Sequence, residues 1–140
     1  MVGCILTGHG TFAEGLAGAL QMVGGQQDDF QPVSFREDEA GTYPQKLHEA
    51  IAQMAEKCGE VVVFCDLFGG TPFNQSMIAT QQTPGVQVVT GTNLPMLLEC
   101  VTSRTESTTA DEVVATALEI GRMGIDSKKL EVAAFDDEDE

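Results

Sequence analysis

The sequence predicts an α/β fold, doubly wound, with helices on both faces of a mainly parallel, four-stranded sheet. Three observations lead there. Short apolar runs alternate with helical stripes along the chain, as in successive βαβ units. The run Val61–Cys65 is apolar at every position, which suits a strand buried on both faces of a parallel sheet. Glycine-rich turns follow the first and third runs, at the carboxyl ends of strands where such sheets gather their function.

Each element has its own signal. Residues 2–6 form the first apolar run, and Thr7-Gly8-His9-Gly10 ends it. Phe12, Leu16, Ala19, Leu20 and Val23 then repeat at helical spacing, and Gly24-Gly25 closes the segment. Phe30–Phe35 reads as a strand, but Pro32 removes a backbone donor and assigns it to a sheet edge. Tyr43, Leu47, Ile51, Met54 and Cys58 form the next helical stripe, stopped by Gly59. After Val61–Cys65, Asp66 ends the run and Gly69-Gly70-Thr71-Pro72 opens a helix. Thr71 is expected as its N-cap, Pro72 as its first residue, and Phe73, Met77 and Ile78 as its apolar positions.

Val86–Val89 is the fourth strand, followed by Gly91-Thr92-Asn93-Leu94-Pro95 and a short helix through Val101. Thr109 and Glu112 make a capping box for a helix carrying Val113, Ala117 and Ile120, with Gly121 and Gly124 marking its end. Residues 129–135 are the candidate for a last strand. The chain therefore reads as one domain over residues 1–135, and the acidic run 136–140 as a solvated, disordered tail.

Charge and composition exclude several functions. Seven Lys and Arg stand against 22 Asp and Glu, a net charge of −15 of which the tail supplies only five. Nucleic-acid binding needs a basic face, and this body is acidic. Cys4, Cys58, Cys65 and Cys100 have no Cys-x-x-Cys or zinc-finger spacing, so they read as reduced structural thiols, and no metal or other cofactor is expected. Gly8-His9-Gly10 interrupts any signal-like apolar core, and no stretch approaches the ~20 apolar residues of a membrane span. The expected location is the cytoplasm, without membrane insertion.

The candidate chemistry lies at the predicted strand ends. His9 is flanked by glycines that clear space around its imidazole. On position alone, an ordinary loop histidine and a reactive one stand equal. Asp66 is equally open between a strand simply reaching water and a functional acid. If the first and third strands are neighbours, the two emerge side by side, and an Asp accepting from Nδ1–H would leave the Nε2 lone pair outward. The Gly69-Gly70-Thr71-Pro72 turn offers helix-start N–H groups and a hydroxyl to an anion, without the Lys of a P-loop. His48 falls inside the helical stripe and reads as a surface histidine.

Three stretches together are distinctive: Gly8-His9-Gly10, Asp66 with Phe68-Gly69-Gly70-Thr71-Pro72-Phe73-Asn74, and Gly91-Thr92-Asn93-Leu94-Pro95-Met96. In order and spacing, from residue 2 to about 124, they resemble the enzyme IIA component of mannose-type sugar phosphotransferase systems. The resemblance implies a phosphocarrier. His9 would accept a phosphoryl group, on its tele nitrogen, from the histidine-containing phosphocarrier protein. It would pass that group to a IIB component, here expected on a separate polypeptide. Asp66 would orient the imidazole, and Gly10, Thr11, Gly69, Gly70 and Thr71 would cradle the phosphate. Phe68, Asn93, Leu94 and Pro95 would face partners. The resemblance also implies a homodimer in which an antiparallel C-terminal strand, here residues 129–135, is exchanged between subunits.

Three other readings stand beside this one. A receiver domain needs an acidic cluster after the first strand, where this chain has Thr7-Gly8-His9-Gly10. A histidine phosphatase needs an Arg before its His, which is absent here. A regulatory IIA-like domain, signalling through His9 phosphorylation instead of driving transport, has the same phosphoacceptor chemistry and stays open. The sugar cannot be read from this chain.

Overall fold

The apolar runs become four parallel strands in a computed structural model that describes residues 1–131. They are β1 (Gly3–His9), β2 (Phe30–Phe35), β3 (Val61–Cys65) and β4 (Val86–Val89). The helices are α1 (Phe12–Gly24), α2 (Tyr43–Cys58), α3 (Gly70–Gln82), α4 (Leu94–Thr102) and α5 (Ala110–Met123), with a single 3-10 turn at Glu37–Glu39. The strand order is β2-β1-β3-β4, so β2 lies at an edge, as Pro32 requires.

Strand alternation divides the core in two. Cys4, Leu6, Val62 and Phe64 face one side, where Leu20 of α1, Leu97 of α4 and Val113 of α5 cover them. Ile5, Val61, Val63 and Cys65 face the other, under Leu47 and Ile51 of α2 and Ala79 of α3. Helices therefore cover both faces, and the doubly wound expectation is met. Thr109 caps α5 through the predicted box with Glu112.

Several local expectations are corrected. β1 does not stop at Leu6 but continues through His9, because Gly8 and His9 still pair with Ser34 and Phe35 of β2. The N-cap of α3 is Gly69, not Thr71, because the chain turns at positive φ through Gly69 and Gly70 and the helix begins at Gly70. Thr71 and Pro72 therefore lie within its first turn. Met77 and Ile78 point outward, at 42% and 41% exposure, since α3 packs through Pro72, Ser76 and Ala79. Val23 is likewise exposed, and α1 buries Ala13 and Leu20. Lys129, Leu130 and Glu131 are not in a strand. The rest of the candidate strand 129–135 and the whole tail 136–140 lie outside the described residues.

One buried cation ties the amino end of the sheet together. Arg104, 7% exposed, donates to the carbonyls of Val101, Val2, Asp29 and Asp28 at 2.7–3.2 Å. It joins the end of α4 to the entries of β1 and β2. A lysine cannot reproduce this fork, because its ammonium lacks the planar spread of donors. Arg104→Met is expected to strip the guanidinium donors from these carbonyls, leaving that of Asp29 only its bond from Cys4 N–H, and to lower unfolding free energy by about 2–4 kcal/mol. Urea denaturation checks it, and Arg104→Lys should recover little of the loss.

Candidate functional site

The order β2-β1-β3-β4 sends the chain from β1 outward to β2 and then back across to β3. The gap between β1 and β3 is thus the topological switch point, and their carboxyl ends form a crevice there. β1 and β3 are registered as far as Thr7 opposite Cys65. Two residues past Thr7 comes His9, and one past Cys65 comes Asp66.

The two side chains meet. Asp66 Oδ2 accepts from the His9 main-chain N–H at 2.9 Å and lies 2.9 Å from His9 Nδ1. Asp66 Oδ1 accepts from the N–H of Leu67 at 2.9 Å. A carboxylate has only lone pairs to offer, so this network assigns the proton to Nδ1 and leaves Nε2 with its lone pair. The His9 side chain is 44% exposed and that of Asp66 13%. The acid is sheltered, and the imidazole is open.

Glycines make the approach possible at two places. A Cβ on Gly8 would lie 2.9 Å from Asp66 Cβ and Cγ and 2.6 Å from Phe12 Cδ1, so a side chain there would drive the acid away. Gly70 has φ +82°, and a Cβ on it would lie 3.0 Å from both Cε1 and Nε2 of His9. The bare Gly70 backbone thus sits against the imidazole edge that carries the free nitrogen. Because α3 begins at Gly70, the N–H groups of Gly70 and Thr71 have no acceptor within the helix, and the positive end of the helix dipole lies beside Nε2.

The remaining sequence-predicted residues divide. Gly69 precedes this turn as the cap of α3. Gly10 follows His9, but its N–H is committed to the carbonyl of Phe35 at 2.8 Å. Thr11 occupies the cap position of α1 and is exposed, with no side-chain hydrogen bond to the helix. Phe68 is 79% exposed, its ring 4.8 Å from that of Phe73, and Leu67 beside it is 48% exposed. Asn93 is occupied structurally: it accepts from Met96 N–H at 3.0 Å and donates to Gly121 O at 2.9 Å. Leu94 packs on the core, and exposed Pro95 stands against Gly124. These three brace α4 against the end of α5.

Two contributors went unread in the sequence. Thr92 is buried and donates from Oγ1 to Cys65 O at 2.8 Å, which ties the loop after β4 to the strand end that presents Asp66. Phe35 meets the His9 ring across the β1–β2 pair, with centroids 5.8 Å apart and planes at 70°. Its signal was available only through strand pairing, because it lies one strand away. Cys65, next to Asp66 in sequence, points into the core. Burial pushes its thiol up to about 11, so it stays protonated and offers no competing thiolate. Arg36, beside Phe35, is half-exposed and paired with Glu14 of α1, whose carboxyl it holds below the ordinary range. The concavity lined by Glu14, Ser34, Arg36 and Lys46 lies beside β2 and does not include His9 or Asp66. Among the described residues, no three His, Cys, Asp or Glu side chains converge to hold a metal ion.

A family model described as PTS system fructose IIA component matches residues 3–118. The chain belongs to this family. The resemblance read from the three glycine-bearing stretches is therefore confirmed. A protein of Escherichia coli (strain K12), the PTS system mannose-specific EIIAB component, is 31% identical over 129 residues, covering 91% of this chain and 40% of that protein. The chain spans about 40% of the length of that mannose-specific relative. The PTS system fructose-specific EIIA component of Bacillus subtilis (strain 168) is 32% identical over 105 residues, 74% of this chain and 71% of that one. Among solved structures, the phosphotransferase system component EIIA from Streptococcus agalactiae superposes with a TM-score of 0.79 at 30% identity, covering 91% of this chain and 97% of that one. This family member, with its four-stranded parallel sheet, therefore shares its fold with that IIA component. Among its described residues, no helix is long and apolar enough to cross a membrane.

Gly70→Ala tests how closely the turn meets the imidazole. Positive φ alone is expected to cost more than about 1 kcal/mol of stability. The added methyl should also displace the ring, seen as a changed His9 signal in ¹H–¹⁵N spectra and slower carbethoxylation at Nε2, while His48 reacts as before.

Proposed function

We propose that this IIA-family chain is a phosphocarrier whose His9 accepts a phosphoryl group from the histidine-containing phosphocarrier protein and passes it to a IIB component during sugar uptake. The observation that supports it most is the orientation of one ring. Nδ1 is held by Asp66, and Nε2, the tele nitrogen, lies outward beside the bare backbone of Gly70. In the forward step the Nε2 lone pair attacks phosphorus, and the bond from phosphorus to the donor imidazole breaks with its electron pair. The proton stays on Nδ1, hydrogen-bonded to the Asp66 carboxylate. Phosphoryl transfer asks a protein mainly for positioning and for dipoles aimed at the equatorial oxygens. On this reading the N–H groups of Gly70 and Thr71, the Thr71 hydroxyl, and the backbone at Gly69 and Thr11 supply the cradle, while Gly10, its N–H held by the Phe35 carbonyl, shapes the turn after His9.

The openness of His9 suits a protein donor better than an enclosed small substrate, since small-molecule sites bury most of their ligand. Leu67 and Phe68 give such a donor an apolar foothold beside the ring, and exposed Pro95 extends the partner-facing surface from the segment after β4, held in place by Asn93 and Leu94. The net charge of −15 favours partners with basic docking faces, through encounter rate more than affinity. We place the protein in the cytoplasm, where these partners would be met.

Labelling with phosphoenolpyruvate, enzyme I and the phosphocarrier protein tests the reading. His9→Ala is expected to abolish incorporation without unfolding the protein; label recovered on His48 would overturn the assignment. Asp66→Asn should slow uptake clearly, by less than the ~10⁴ seen where the same exchange reverses a catalytic tautomer, because an amide donates to Nδ1 and moves the proton to Nε2. Quench-flow rates equal to wild type would return Asp66 to the role of a strand end.

The same reading includes a homodimer held by exchange of residues 129–135. Truncation after Gly124 is expected to give a monomer in sedimentation velocity, while removal of residues 136–140 alone leaves the dimer. A dimer that survives the longer truncation rules the exchange out.

A further inference from the structure

A hydrogen bond at Nδ1 pins one corner of the His9 imidazole but leaves its tilt about the Cβ–Cγ bond to be set by other contacts. On one side that contact is Gly70, against Nε2 and Cε1. The other is Phe35. The two rings stand edge to face, with centroids 5.8 Å apart and planes at 70°, within the range of favourable aromatic pairs. The placement is built into the sheet. His9 and Phe35 are register partners at the last paired position of β1 and β2, and the Phe35 carbonyl also accepts from Gly10 N–H at 2.8 Å.

Phe35 is itself braced. Tyr43, at the start of α2, packs on it with centroids 4.7 Å apart and planes at 49°. Tyr43 is 1% exposed, and its hydroxyl lies 2.6 Å from Thr7 Oγ1. Thr7 in turn donates to Val33 O at 2.7 Å, which uses its one proton, so the Tyr43 hydroxyl must donate to Thr7. Thr7 is fully buried and belongs to the same strand as His9. The bracing therefore runs from β1 through Thr7, Tyr43 and Phe35 back to the His9 ring, a closed circuit of packed and hydrogen-bonded groups.

We propose that Phe35, held from behind by Tyr43, is a positioning residue for His9: it fixes the tilt of the imidazole so that Nε2 faces the Gly70 turn. The inference rests on the phosphocarrier reading for its kinetic consequence, but not for its structural one. An aliphatic residue would fill part of the same volume without presenting a flat, stiff wall. A misplacement of about 1 Å at a reacting atom is enough to cost up to 10²-fold in rate.

The test compares Phe35→Leu, Phe35→Tyr and Tyr43→Phe in the full chain. The first readout needs no phosphorylation: exchange of the His9 Nδ1 proton with water and broadening of the His9 ring signals, both by NMR. Phe35→Leu is expected to speed that exchange and broaden those signals, Phe35→Tyr to restore both, and Tyr43→Phe to give a smaller change in the same direction. The second readout is phosphoryl uptake from the carrier protein, where Phe35→Leu should lower kcat roughly tenfold with KM unchanged, and Phe35→Tyr should recover it. If Phe35→Leu unfolds, the Phe35→Tyr and Tyr43→Phe pair decides: wild-type ring signals in Tyr43→Phe would overturn the bracing. A folded Phe35→Leu with unaltered ring signals would overturn the proposal, as would equal losses in Leu and Tyr variants. Ring signals that respond as expected in a protein that takes up no phosphoryl group would leave the positioning standing and bring down the phosphocarrier reading instead.

Discussion

Asp66 Oδ2 accepts from two donors of one residue, the main-chain N–H and the Nδ1–H of His9. That double acceptance is possible only if the end of β1 and the exit of β3 are held at one fixed offset, since one donor belongs to the backbone and the other to the side chain. Much of the fold serves that offset. β1 and β3 are parallel neighbours buried on both faces, so neither can slip by one residue without exchanging the side chains of its two core-facing sides. Gly8 keeps the space beside Asp66 clear. Thr92 holds the carbonyl of Cys65, the residue just before Asp66.

The legible part of this arrangement was local or periodic. Alternating apolar runs and helical stripes gave the strand and helix order, Pro32 located the edge, and Thr109 with Glu112 located a helix start. His9 and Asp66 were legible together because both sit where apolar runs end, and a parallel sheet places such ends along one side. What escaped was decided by partners distant in sequence. The true end of β1 depends on pairing of Gly8 and His9 with β2, which no local pattern announces. The cap of α3 is set by two successive glycines at positive φ, which overrode the preference of Thr71 for that position. Met77 and Ile78 looked like core because they are apolar, yet the small Ser76 and Ala79 are what let α3 approach the sheet.

Burial is distributed unevenly across the site, and the distribution has a chemical sense. Asp66 is sheltered while His9 is open, so the bond between them avoids much competition from water and the Nε2 edge remains accessible from solvent. The apolar pair Leu67 and Phe68 is exposed on the same loop. In a chain with net charge −15, an apolar contact beside the ring can hold a partner briefly while long-range charge governs how fast it arrives. Fast arrival with modest affinity is what a relay needs, because each partner must leave before the next one binds.

On the proposed phosphocarrier reading, the same hydrogen bond would bear on both halves of the relay. With the proton retained on Nδ1, a phosphoryl group on Nε2 leaves the ring formally cationic, and the Asp66 carboxylate lies 2.9 Å from the nitrogen that carries that proton. Attraction there favours accepting the group. Retention of the proton also means that the departing ring leaves as neutral imidazole, a far better leaving group than its anion, so the second transfer needs no separate acid. A carboxylate that removed the proton would lose both effects, and one placed farther away would weaken the first. On the phosphocarrier reading, the geometry that would make Nε2 a nucleophile would therefore also keep the phosphorylated nitrogen ready to part with its group, and a single fixed contact would serve uptake and release alike.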